Sequence, residues 1–463
     1  MEKIISKNPF DGSTIAEFDT TTLSEIPHVF ERARAAQKIW NTLTVRQRAA
    51  MVAQICETLV NRADELSVSI SNETGRPPFE ILSNELLPAA NIATYYAKRA
   101  PRLLGDRNIP LVQFKHRQSV LNCWPLGVVA IFSPKKGPFY LPFAEIIMAL
   151  LAGNAIVFKP GADASASGLK IQELCDEAGL PPNVLQTVLG RAEVGDEIVN
   201  NAPDKIFFTG TAEAGKKILA MAAARIIPAT VEYGGGGTMI VLSDANIDRA
   251  TSAALWAIYS GTGYDGLLVR KLVIHESVAG IFKARLEEKL KTLSSAPEMS
   301  SLSPAAAGRG AALPPIIIFK SLAEAVKRTN ESSDGLLACI FTRNYSMGEQ
   351  LAHQLEVGSV TINDVFYPGA LPEVPWGAVR GGGYGKRHGQ DGLFEFVNIR
   401  HIHRPKSRAL EFKSPWWFPY TPYQAGMFRK FMDLYHKHFT DRILAFPLFL
   451  WNLVHYIKKE RRL

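Results

Sequence analysis

Two charged side chains stand where apolar runs meet glycine or proline, Glu232 and Lys159. Glu232 lies in Thr230-Val231-Glu232-Tyr233, and four consecutive glycines, Gly234-Gly235-Gly236-Gly237, follow it. Four glycines pack no side chain and each costs backbone entropy, so they mark a turn where the backbone passes close to something. The run delivers one carboxylate to the mouth of that turn. Lys159 ends the buried run Ala155-Ile156-Val157-Phe158 and offers a cation at a strand end. Thr209-Gly210-Thr211 closes a third apolar run. Taken singly, the plainer readings are a solvated loop with an incidental Glu and a solvated strand end.

The elements that must carry these residues follow from periodicity. Glu25 to Trp40, Val45 to Ala63 and Glu80 to Ala97 repeat apolar residues every three or four positions and read as helices. Beyond Val120, strands alternate with helices. Val120 to Ile131 reads as two strands split by Pro125, followed by a helix from Phe139 to Leu151, the strand ending at Lys159 and a helix from Ser167 to Ala178. Then come a strand Val184 to Leu189, a helix Arg191 to Asn200, the strand ending at Gly210 and a helix Gly215 to Ala224. This alternation argues for a doubly wound, largely parallel sheet, which binds ligands at the carboxyl ends of its strands. Lys159, Thr209, Gly210, Thr211 and Glu232 should therefore cluster. A second α/β segment follows Leu267, and Ser294 to Pro314 has the Ala/Ser/Gly/Pro composition of a loop.

The chain has 463 residues, 47% hydrophobic and 21% charged, enough for two or three domains with real cores. Its four cysteines, Cys56, Cys123, Cys175 and Cys339, are far apart with no CxxC or Cys/His spacing, so neither a zinc site nor a disulfide framework is expected. They read as buried structural thiols in a reducing cytoplasm, and the N-terminus lacks the apolar core of a signal peptide. The net charge is +8, and from His401 onward twelve Lys/Arg face four Asp/Glu, leaving forty of each before it. The whole excess sits in the tail, which excludes a generally basic, nucleic-acid-coating protein and points to a local basic surface for an anionic membrane or a partner. Ile443 to Ile457 is fifteen mostly apolar residues closed by Lys458-Lys459-Glu460-Arg461-Arg462. That is short of the roughly 20 needed to span a bilayer and suits a segment lying among headgroups. A helix packed on a dimer partner is the plainer reading.

The ordered set Asn8-Pro9, Pro125-Leu126-Gly127-Val128, Phe158-Lys159-Pro160, Phe208-Thr209-Gly210-Thr211 with Gly215, Val231-Glu232-Tyr233-Gly234-Gly235, Gly358, Asn363, Pro375-Trp376-Gly377 and Gly383-Tyr384-Gly385 resembles the aldehyde dehydrogenase superfamily over roughly residues 6 to 405. The resemblance implies an α/β fold with a Rossmann-type nucleotide-binding domain (1–231), a shortened second α/β domain of catalytic type (232–385), oligomerisation strands at 115–125 and 390–404, and a tail from 406 to 463. It implies NAD or NADP as cofactor, held by Lys159, Thr209, Gly210, Thr211, Gly215 and Gly234, with Glu232 as general base. The tail resembles that of the fatty-aldehyde branch, implying an apolar aldehyde or lipid ligand, peripheral membrane association and a homodimer.

The same resemblance exposes departures at the site itself. In the family a cysteine thiolate attacks the aldehyde, hydride passes to NAD(P)+ and a glutamate-activated water releases the acid. Gly266, in Thr262-Gly263-Tyr264-Asp265-Gly266, stands at that cysteine, and glycine has nothing to attack with. Lys136 replaces the asparagine of the oxyanion hole, and Ala162 the glutamate that helps hold the ribose. Gly308-Arg309-Gly310-Ala311-Ala312 aligns loosely with the segment that clasps the nicotinamide ribose. A Schiff base at Lys136 is the alternative, although adjacent lysines in a loop are more often solvated cations. The expectation is a family member whose own catalysis is lost and whose nucleotide binding is weakened, with a non-catalytic membrane-associated scaffold as the rival.

Overall fold

The computed structural model describes residues 3–9, 11–112, 114–233, 236–260, 269–294, 313–365, 370–407, 414, 416–418, 420, 422–436, 438 and 446–455. Gly234, Gly266 with Tyr264 and Asp265, the segment 308–312 and most of the loop from 294 to 314 fall outside them.

The chain opens with an antiparallel hairpin, β1 (Lys3–Lys7) and β2 (Thr14–Asp19), which its sequence pattern leaves unassigned. Helices Ile26–Trp40, Val45–Asn61, Ala63–Thr74 and Leu87–Leu103 follow. The last three bury their apolar stripes in one core, which the first joins through Ala36 and Trp40 while its Ile26, Val29, Phe30 and Ala33 pack into another. Thr44 starts the second helix with a complete capping box to Gln47. Next come the short β3 (Arg107–Ile109) and β4 (Arg117–Pro125).

The strands that carry the candidate site are β5 (Val128–Phe132), β6 (Ala155–Lys159), β7 (Leu185–Thr187), β8 (Lys205–Gly210) and β9 (Ala229–Tyr233). They pair in the parallel order β9-β8-β5-β6-β7. From β5 the chain winds outward through β6 and β7, returns, and winds out on the other side through β8 and β9. This places a switch point between β5 and β8, where a ligand crevice opens at the carboxyl edge. β5 and the first four residues of β6 are fully buried, as is every residue of the helix Tyr140–Ala152 that covers them. Strands covered on both faces read as continuous apolar runs, which is why they are visible in the sequence.

A second sheet repeats the plan with β10 (Gly237–Val241), β11 (Val269–His275), β12 (Ile316–Phe319), β13 (Leu337–Phe341) and β14 (Ser359–Ile362), ordered β12-β11-β10-β13-β14 and parallel throughout. β13, whose run around Cys339 is too short for periodicity to assign, lies beside the central strand. Late in the chain β15 (Gly383–Tyr384) returns to the first sheet and pairs antiparallel with β9, Gly383 opposite Glu232. Residues on both sides of position 231 thus share one sheet.

β16 (Val397–Pro405) forms a three-stranded sheet with β4 and β3. The strand expected from residue 390 begins only at Val397, because Gly389–Phe394 forms a helix. The chain divides into two compact units, residues 1–105 with 123–399, and 106–122 with 400–463. In the second unit the helix Pro422–His436 and a helical stretch at 446–455 follow the sheet. Among the described residues no helix is long and apolar enough to cross a membrane.

Candidate active site

Glu232 sits near the carboxyl end of β9, with Thr209 of β8 as its register partner. The antiparallel return of β15 brings the chain against it, and Tyr233 N–H donates to the Gly382 carbonyl at 2.8 Å. Gly383 is required here: its φ is +137°, and a Cβ would lie 2.1 Å from the Val231 carbonyl oxygen. Two residues further on, Gly385 also has positive φ, and the chain then delivers Arg387.

Arg387 is the centre of the site. Its Nη1 lies 3.5 Å from Glu232 Oε2, and its Nη2 donates to Thr209 Oγ1 at 2.6 Å and to Glu145 Oε1. All three charged groups are buried, Arg387 at 5%, Glu145 at 2% and Glu232 at 8% exposure. A guanidinium leaves water at such a cost that carboxylate partners are needed to hold it there. Glu145 comes from the apolar helix Tyr140–Ala152, where burial pushes its carboxyl up to about 7; Arg387 opposes that rise and Glu232 adds to it. Among the described residues Glu232 Oε2 has no hydrogen-bond partner despite its burial, and it faces the Arg387 charge.

His388 lies next to this cluster, almost fully buried, with its Nε2 3.3 Å from the Tyr140 hydroxyl. Burial and the Arg387 charge lower its imidazole to about 3, so it is neutral at ordinary pH. Its backbone, at φ 58° and ψ 177°, occupies a region nearly reserved for glycine. Neither Arg387, Glu145 nor His388 was singled out by the sequence reading. The available signal was a lone carboxylate inside an otherwise apolar helix, since such a residue is rarely buried without a partner.

The residues expected to meet a nucleotide gather at the carboxyl ends of the neighbouring strands. Lys159 is half-buried, burial lowers its amine to about 8, Glu193 partly opposes this, and among the described residues its Nζ donates only to the Pro160 carbonyl, at 3.4 Å. Ser133, just past β5, has a buried hydroxyl without a hydrogen-bond partner. Thr211 caps the helix Ala212–Ala223 by accepting from Ala214 N–H at 3.3 Å. Gly215 lets that helix close on the sheet, because a Cβ there would fall 2.1 Å from the Tyr233 ring. An orphaned hydroxyl, an under-partnered amine and a helix N-terminus fit a polyhydroxylated, anionic group such as NAD(P). Lys159 and Ser133 would hold a ribose and the helix N-terminus the pyrophosphate; the bound group would supply a hydride acceptor. Ala162 offers that ribose no carboxylate, as expected, and Lys136 is half-buried in its loop. Gly210 closes β8 beside these groups, and the Thr209 hydroxyl accepts from Arg387.

None of the four cysteines lies outside the described residues. Cys56 packs between two helices with Sγ 3.4 Å from Thr94 Oγ1, and Cys123 lies half-buried in β4. Cys175 and Cys339 are fully buried, and burial pushes both thiols up, Cys339 to about 12.

This arrangement agrees with what the chain is similar to. The model of the aldehyde dehydrogenase family matches residues 1–305 and 311–402. A 4,4'-diapolycopene aldehyde oxidase from Methylomonas sp is 30% identical, over 94% of this chain and 91% of the relative. A putative succinate-semialdehyde dehydrogenase [NADP(+)] from Mycolicibacterium smegmatis is 27% identical over 90% and 91%. Among solved structures, an aldehyde dehydrogenase from Brucella melitensis shares the fold at a TM-score of 0.81 and 23% identity, covering 88% of this chain and 95% of that one. The NADP-dependent glyceraldehyde-3-phosphate dehydrogenase of Bacillus halodurans, complexed with NADP, superposes at 0.79 with 26% identity, over 88% and 96%. With a family model matching nearly its whole length and a relative 30% identical over 94% of it, the chain belongs to the aldehyde dehydrogenase family.

Proposed function

We propose that this protein keeps the apolar-aldehyde and nucleotide-binding framework of its family and has lost the oxidation chemistry. The observation that carries the reading is the location of sulfur. All four thiols belong to other elements, and Gly266 stands where the sequence pattern of the family places the nucleophile. The reaction needs a group that both attacks a carbonyl and leaves from the acyl product, which a thiolate does and glycine cannot. Lys136 in place of the oxyanion-hole asparagine and Ala162 beside Lys159 support weakened turnover and weakened nucleotide binding. The relative that acts on a diapolycopene aldehyde supports an apolar ligand.

The exposed Trp416, Trp417, Phe418 and Trp451, on a tail with surplus Lys and Arg, support peripheral membrane association. β16 is exposed along nearly its whole length, with Ile399 and Ile402 outward, which supports pairing with a second copy. The rival reading from a different class is a membrane-bound scaffold that holds a lipid, an aldehyde or an active paralogue without any nucleotide.

The purified protein should generate no NADH or NADPH above background from medium- and long-chain aldehydes. Turnover that survives dialysis overturns the proposal. Fluorescence titration with NAD+ and NADP+ separates the two readings: measurable binding supports the silenced dehydrogenase, and none supports the scaffold.

A further inference from the structure

The two terminal nitrogens of Arg387 divide between opposite sides of the site. Nη1 faces Glu232 on β9, while Nη2 faces Glu145 on the helix Tyr140–Ala152 and Thr209 on β8. The backbone that presents Arg387 is held from several directions. Trp376 and Arg387 exchange both main-chain hydrogen bonds, at 2.7 and 2.8 Å. Immediately after it, Gly389 N–H donates to the Pro372 carbonyl at 2.9 Å, Tyr96 Oη donates to the Gly389 carbonyl at 2.9 Å, and Gly392 N–H donates to the His388 carbonyl at 2.8 Å. These bonds hold His388 in a backbone conformation that strains a non-glycine residue and persists only where the surroundings over-determine it.

We infer that Arg387 is a positioning residue: by bridging Glu145 and Glu232 it sets where the Glu232 carboxylate rests and makes the two acids respond to each other as one unit. Among the described residues no hydrogen bond reaches the buried Oε2 of Glu232, and the guanidinium faces it at 3.5 Å. The groups that face the unit are Tyr140 and Glu145 from the helix, Thr209 from β8, Glu232 from β9 and His388 from the loop, with Glu85 bonded to the Tyr140 N–H behind them. One cation between two anions in a desolvated volume leaves one negative charge uncompensated, which favours the protonated form of Glu145. The rise of the Glu145 carboxyl to about 7 agrees with this. The inference deepens the proposed function by describing the base position of the same site, and it rests on that reading only for the role of Glu232.

The test uses the full-length protein labelled with 13Cδ-glutamate and follows carboxyl resonances from pH 5 to 9. A resonance titrating near neutrality should vanish in Glu145→Gln, which assigns it. In Glu232→Gln, nearly isosteric, its midpoint should fall by about half a pH unit or more, because a repelling charge is gone. In Arg387→Met it should rise, and Arg387→Lys should restore it most of the way. A merely structural Arg387 predicts a lower melting temperature in Arg387→Met with the Glu145 midpoint unchanged, and that result overturns the inference. Should Arg387→Met fail to fold, Arg387→Gln is read in the same way. Aldehyde turnover by the wild-type protein would sink the silenced reading without altering this titration, so the two fail separately.

Discussion

At the scale of single residues, glycines divide into those the fold requires and those it merely tolerates. Gly383 combines a φ of +137° with a Cβ position 2.1 Å from a carbonyl oxygen of the strand that carries Glu232. Gly383→Ala should therefore lower the unfolding free energy by about 2–4 kcal/mol, read from urea denaturation, because neither backbone can yield without breaking the β9–β15 pairing. Gly280 is the internal control. It is exposed in the helix Glu276–Ser294 with nothing within 4 Å of its Cβ position, so Gly280→Ala should stabilise by up to about 1 kcal/mol.

At the scale of elements, the carboxyl edge of the first sheet stores a cost that a ligand would relieve. Lys159 has an ordinary value of 10.5 and is lowered to about 8 by burial. Between those two values the unfolded chain holds a proton that the folded chain has released, so stability rises with pH across that window. Below about pH 8 the folded protein carries a poorly solvated ammonium. Lys159→Met should then stabilise the protein by about 1–2 kcal/mol at pH 7, allowing for partial solvent access, with the gain fading towards pH 10. The same substitution should weaken nucleotide binding, measured by fluorescence titration. Equal stability of both proteins at pH 7 would show that the amine is fully solvated.

At the scale of the whole molecule, the charge asymmetry and the exposed aromatics lie on the same tail. Co-sedimentation should show binding to vesicles containing phosphatidylserine and little to pure phosphatidylcholine. Salt well above 0.1 M, where the Debye length is below about 10 Å, should weaken it. Replacing Trp417 and Trp451 together with Ser should reduce binding several-fold while leaving the melting temperature unchanged, since both side chains are exposed. Equal binding to neutral vesicles, or none to either, removes the membrane reading.

What the sequence by itself determined is what repeats locally. Strands covered on both faces must be apolar throughout, so β5, β6 and β8 were legible, and their alternation with helices dictated a doubly wound sheet with Lys159, Thr211 and Glu232 near its carboxyl edge. The absence of a cysteine at position 266 was likewise legible without coordinates. Tertiary structure decided the rest. β13 was too short to show a period, and the helix at 389–394 displaced the start of β16. Most of all, Glu145, Thr209, Glu232 and Arg387 come from four separate stretches spanning 242 positions, and no spacing rule links them. Only the return of β15 onto β9 brings the guanidinium between the two carboxylates, and burial then compels the three charges to depend on one another.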